Sequence, residues 1–167
     1  MNDVVERLSV VLASEEELYG RMRNLLEREA ESLARLDAEA FALIVREKEE
    51  LGDEGRLLEE VRIGVARELG RGLGLDAVNP RLSDLCRALE QAGENGEGLR
   101  AAHNRLIIVI GIVRELLESN ANLARESLLQ VRSTLGLLGG PVGVSSGETG
   151  YGASSQMGPG QLLRHSV

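Results

Sequence analysis

The chain has 167 residues, enough for one domain, with a formal net charge of −8 and three aromatic residues, Tyr19, Phe41 and Tyr151. Acidity without a basic stripe argues against nucleic-acid binding, which needs cations set against phosphates. A core nearly free of rings must be built from Leu, Ile, Val and Ala, which suits long helices packed on each other better than a sheet. The single cysteine, Cys86, allows no internal disulfide and no cysteine-based metal site. It fits a reducing, cytoplasmic setting. The opening MNDVVERLSVVLASEEELYG carries acids and no sustained apolar stretch, so it does not read as a signal peptide. The longest apolar run, LIIVIGIV (Leu106 to Val113), is far shorter than the ~20 residues of a membrane span and is expected to be helix buried on most sides.

In chain order, the first helix is expected from about Asp3 to Leu36. Val5, Leu8, Leu12, Tyr19, Met22, Leu26, Leu33 and Leu36 recur at heptad spacing without an intervening proline. At 1.5 Å per residue this is a rod of roughly 50 Å. Asp37 is placed to cap a second helix from Ala38 to Leu69. GRGLGLDAVNP (Gly70 to Pro80) then ends it with glycines and a proline. A short helix is expected from Pro80 to Ala92, capped by Asn79 with Pro80 in its first turn. The loop GENGEG leads to a last helix from Leu99 to Leu138. Residues 139–167 are rich in Gly and Ser and cannot bury enough surface to offset ordering entropy, so a disordered tail is expected. The predicted fold class is all-α. It comprises a long, coiled-coil-like antiparallel helical hairpin, a short connecting helix and a third long helix within residues 1–138.

The very short link between the first two helices makes them antiparallel neighbours. If Leu36 faces Phe41, stepping outward pairs Leu33 with Ile44, Glu29 with Lys48, Leu26 with Leu51, and Met22 with Gly55. Further out, Tyr19 meets Leu58, Glu15 meets Arg62, Leu12 meets Val65 and Leu8 meets Leu69. Both seam acids then fall opposite seam bases, and Gly55 leaves room for Met22. Charged residues on a seam cost stability relative to Leu but penalise slipped registers, where a charge would face hydrocarbon.

Glu15 and Glu29 are roughly 21 Å apart along one helix, too far for the paired carboxylates of a hydrolase. No metal-ligand spacing, phosphate loop or nucleophile elbow is visible. His103 reads as a surface or boundary residue and Cys86, among Leu82, Leu85 and Leu89, as packing. An enzyme is not expected, nor a cofactor or metal.

What remains is surface for a partner. Leu99, Leu106, Ile110, Val113, Leu117, Ala124 and Val131 form one stripe on the last helix. Ile107, Leu116, Leu123, Leu128, Leu135 and Leu138 lie beside it. The first half can pack on the hairpin, while Asn120 to Leu138 is expected to extend past it, with an apolar face open to a partner helix. The competing reading is a structural adaptor, in which this helix closes a three-helix core or a homodimer. Tyr151, in flexible sequence with no core to fill, fits an aromatic anchor for a small, reversible interface.

Four features occur in order: a Leu-rich first helix with an early Tyr19, DAEAFALIVREKEEL opening the second helix, ESNANLARESLL in the last, and a tail tyrosine among Gly and Ser. Together they resemble the FlgN family of flagellar export chaperones over nearly the whole chain. The resemblance implies a cytoplasmic, non-enzymatic chaperone of type III secretion. Such a chaperone binds the helical C-terminal segments of the hook-associated proteins FlgK and FlgL, prevents their early association and delivers them to the export gate protein FlhA. It further implies gate docking by Tyr151 and client binding by the last helix, here Val113, Leu117, Asn120, Leu123, Ala124, Leu128, Val131 and Leu135. The tail departs from the expected pattern, since Ser154 and Ser155 stand between Gly152 and Gly158.

Overall fold

A computed structural model describes residues 2–75 and 78–138. They form four helices: α1 (Asn2–Ala34), α2 (Ala38–Gly72), α3 (Leu82–Gln91) and α4 (Glu97–Leu138). The expected tail, with Tyr151, lies outside the described residues.

The helix ends follow from a few backbone groups. Asp37 accepts a hydrogen bond from the Ala40 amide at 3.0 Å, the N-cap expected of it. Just before it, Leu36 takes a left-handed φ of 55°. Its amide bonds to the Leu33 carbonyl at 3.1 Å, and the Asp37 amide reaches the Ser32 carbonyl at 2.9 Å. This pair of bonds is a Schellman ending, so α1 stops two residues earlier than the heptads indicate. The same two-bond pattern closes α2 at Gly74 and α3 at Gly93. Those sites hold glycine, whereas α1 forces a leucine into the left-handed region at a cost of about 1–2 kcal/mol.

Two expectations about the connecting segment change. The α2 helix runs through Gly70 to Gly72. Gly70 is a place of close approach, where a Cβ would lie 2.9 Å from Cγ of Pro80. Asn79 does not cap α3; its Oδ1 accepts from Arg67 Nη2 at 2.8 Å, and Arg67 Nε donates to the Val78 carbonyl at 2.7 Å. The linker is thereby fastened to α2, Pro80 packs on Gly70, and α3 begins after Arg81 with no side-chain cap.

The α1 helix is the middle layer. It packs against α2, antiparallel to it, and against α4, which runs parallel to it: Glu16 meets Arg105, Leu26 meets Asn120 and Leu33 meets Ser127. No Cα of α2 comes within 8 Å of one in α4. The α3 helix closes one end between α2 and α4, and the main core gathers there around Leu8, Leu12, Leu69, Leu85, Leu89 and Leu99. Each fully buried leucine contributes about 1.5–3 kcal/mol of transfer free energy. Cys86 packs in this core, where burial pushes its thiol up. Towards the other end the core thins to Met22, Leu26 and Val113.

Three further expectations are corrected. Leu18, not Met22, occupies the space at Gly55, where a Cβ would lie 3.4 Å from Leu18 Cδ2. The LIIVIGIV run is covered on one side only. Leu106, Ile110 and Val113 are buried, but Ile107, Ile108 and Ile112 are 41%, 64% and 37% exposed, because α1 covers a single face of α4. His103 is buried rather than at the boundary, 7% exposed at the level of the main core.

Candidate functional site

The chemistry-bearing side chains gather in two kinds of place: polar pairs inside the helical layers, and an apolar stripe on the outside of α4. The pairs hold the helices that position the stripe. Lys48 Nζ donates to Glu29 Oε1 at 2.7 Å. The other carboxylate oxygen, Oε2, accepts from Asn120 Nδ2 at 2.8 Å, and the same amide group lies 2.7 Å from the Leu26 carbonyl. Glu29 is therefore a buried node that ties α1 to both α2 and α4. Its helix spacing put a base opposite it on α2; nothing in the spacing indicated Asn120.

One helical stretch away, Arg62 Nε donates to Glu15 Oε1 at 2.9 Å, with Glu59 3.4 Å from the guanidinium. Glu15 and Arg62 are 5% and 9% exposed. Burial pushes the Glu15 carboxyl above the usual range, and Arg62 pulls it partly back. Its Oε2 has no partner among the described residues, and neither has His103 Nε2. Burial holds the His103 imidazole below its usual range, with the Arg62 charge adding to the effect. Glu15, Glu29, Lys48 and Arg62, the four seam residues, bridge α1 and α2.

An open groove of 380 Å³ between α1 and α2 is lined by Arg21, Arg28, Glu47 and Glu54 among others. Its charges are already matched: Arg28 bonds Glu47 through both nitrogens at 2.7 and 3.1 Å, holding that carboxyl below the usual range, and Arg21 pairs with Glu54. Among the described residues no cluster of His, Cys, Asp and Glu is arranged to hold a metal ion. No described helix is long and apolar enough to cross a membrane.

The stripe on α4 changes character along its length. Val113 and Asn120, expected on a client surface, belong to the interior at 2% and 4% exposed. The reason is the reach of α1, which covers α4 as far as the hydrogen bond from Ser127 Oγ to the Leu33 carbonyl, 3.2 Å. Leu123 and Ala124 are half-buried near that margin, and Leu117 is half-buried earlier, against the Met22, Leu26 and Val113 cluster. Beyond it α1 has ended and the same helical face continues uncovered: Leu128 is 51% exposed, Val131 38% and Leu135 62%. Leu129 and Leu137, on neighbouring faces, are 64% and 86% exposed. From Leu128 to Leu138 the helix extends roughly 15 Å at 1.5 Å per residue. An isolated single helix of that length is marginal in water, and its apolar face gains stability from any helix laid along it.

A protein-family model described as the FlgN protein matches residues 1–159. No curated protein and no solved structure is similar enough to match.

Proposed function

The chain belongs to the FlgN family of flagellar export chaperones, and from that premise we propose that it holds the helical C-terminal segments of the hook-associated proteins FlgK and FlgL on the distal end of α4. The observation that carries this reading is the apolar stripe that continues past the end of α1 and is exposed among the described residues, at Leu128, Val131 and Leu135. A client helix laid there buries its own assembly face and is kept from associating early. The half-buried Leu117, Leu123 and Ala124 form the near edge of the seat. The work is done in the cytoplasm, before the client is handed to the export gate protein FlhA, with Tyr151 as the gate contact.

Recognition of this kind needs no bond-making chemistry. The apolar seam supplies affinity, and release stays easy because the interface is short. The test is co-elution of the full chain with a C-terminal helical segment of FlgK in gel filtration. Leu128→Ser combined with Leu135→Ser should abolish the complex and leave the helical signal of the body intact. A complex that survives this change places the client elsewhere. Tyr151→Ala should weaken binding to FlhA and leave the FlgK complex unaltered; loss of both together, with the fold kept, would refute the division of labour.

A further inference from the structure

The uncovered stripe is not electrically neutral along its edges. Arg125 and Arg132 are one heptad apart and lie on one flank of the face made by Ala124, Leu128, Val131 and Leu135. The opposite flank carries Ser127 and Thr134. Both arginines are exposed, and among the described residues neither is in an ion pair; Arg125 Nη1 only donates to Asn122 Oδ1 at 2.7 Å. Some arginines on the body are matched across helices, Arg28 with Glu47, Arg7 with Glu68 and Arg105 with Glu16, while others such as Arg35 and Arg46 are, like these two, in no ion pair among the described residues. One heptad earlier the flank carries Glu118, beside a seam that α1 already fills. What distinguishes Arg125 and Arg132 is their place: both flank the stripe where it is exposed, on a chain whose overall charge is −8.

We propose that the distal α4 stripe selects an amphipathic helix carrying carboxylates one heptad apart beside its apolar seam, positioned to meet Arg125 and Arg132. This rests on the proposed docking role of the stripe and adds which helices it accepts. Flank charges set partner choice in paired helices. A second copy of this chain fits poorly. Antiparallel pairing sets the arginine flank against itself, and parallel pairing sets it against Ser127 and Thr134, which offer no charge.

The probe is a pair of 21-residue peptides with leucine at the a and d positions and either glutamate or lysine at every e and g position, titrated into the full chain at moderate salt. The glutamate peptide should bind about two- to thirty-fold more tightly, the range for two exposed ion pairs, and the preference should shrink as salt is raised. The acidic body taken as a whole favours the lysine peptide, so a glutamate preference points to the flank. In Arg125→Glu/Arg132→Glu the preference should reverse. Equal binding of the two peptides, or a glutamate preference kept by the reversed variant, overturns the inference. If that equal binding disappears in Leu128→Ser/Leu135→Ser, the docking surface stands and only the charge selection falls. If neither peptide binds the unaltered chain, the docking role falls with it. A dimer in sedimentation equilibrium that the same two serine changes abolish overturns it in favour of a second copy.

Discussion

The two halves of α4 have the same kind of sequence and different surroundings. Leu99, Leu106, Ile110 and Val113 repeat at threes, fours and sevens and are buried; Leu128, Val131 and Leu135 repeat in the same way and are not. The difference is the extent of α1, which ends at the leucine-capped turn after Ala34 and leaves the last part of α4 alone. An apolar stripe is thus core where a neighbour reaches it and exposed surface where the neighbour has stopped.

Deletion of side chains separates the two halves of α4 most plainly. Leu106→Ala should cost about 2–5 kcal/mol in urea unfolding, the range for a large-to-small change in a packed core. Leu135→Ala should change stability by no more than about 0.5 kcal/mol. Similar losses at the two sites would mean that the distal stripe is covered after all.

The boundary between the halves can be tested at the Glu29 node. Lys48→Glu should cost about 2–4 kcal/mol, because it removes a charged hydrogen bond and sets two carboxylates together at a buried site. The same change at exposed Arg46 should fall within about 0.5 kcal/mol. Adding Glu29→Lys to Lys48→Glu should recover part of the loss, but not the bond to Asn120. Equal effects at Lys48 and Arg46 would remove the idea that this pair fixes the register of the helices.

The covered half also carries a pH dependence. Burial first, and the Arg62 charge second, hold His103 below its ordinary value of 6.5 in the folded chain. The unfolded chain therefore binds more protons just below pH 6.5, and stability is lost as pH falls from there towards the folded value. The slope is at most about 1.4 kcal/mol per pH unit. Glu15 acts with the opposite sign: its raised carboxyl takes up a proton in the folded state first, which adds stability as pH falls through its folded value towards 4.5. The His103 part is read as the difference between the unaltered chain and His103→Leu across the same pH series. A difference that does not vary below pH 6.5 would show that the imidazole is not kept neutral by the fold.

The smallest expected effect concerns the turn that ends α1. Leu36 holds a φ of 55° and is 46% exposed, so it pays backbone strain with half of its side chain in water. Leu36→Gly should raise stability by about 0.5–1 kcal/mol in thermal unfolding. A loss of stability would show that the half-buried part of the side chain outweighs the strain.

Much of the helical framework can be read along the chain. Heptad spacing marks the helices, Asp37 marks the start of α2, and the short link after α1 dictates an antiparallel pair, so a carboxylate at position 29 comes opposite a lysine at position 48 without any long-range information. Local chemistry misleads where a residue serves a distant neighbour. Asn79 looks like a cap and instead holds Arg67; Gly70 looks like a stop and instead admits Pro80. Gly55 looks like space for Met22 and receives Leu18. Asn120 and Val113 look available because periodicity records which face is apolar, never whether another helix lies on it.

By itself the sequence determined that the chain is helical, where its four helices begin and end to within a few residues, and that α1 and α2 form a hairpin, because propensity, caps and a short turn act between near neighbours. The tertiary structure alone decided that α4 runs parallel to α1, that Asn120 closes the Glu29 node, and where cover over the α4 stripe stops. Those outcomes depend on the return through α3 and on the axial offset between helices far apart in sequence, and no local interaction energy specifies either.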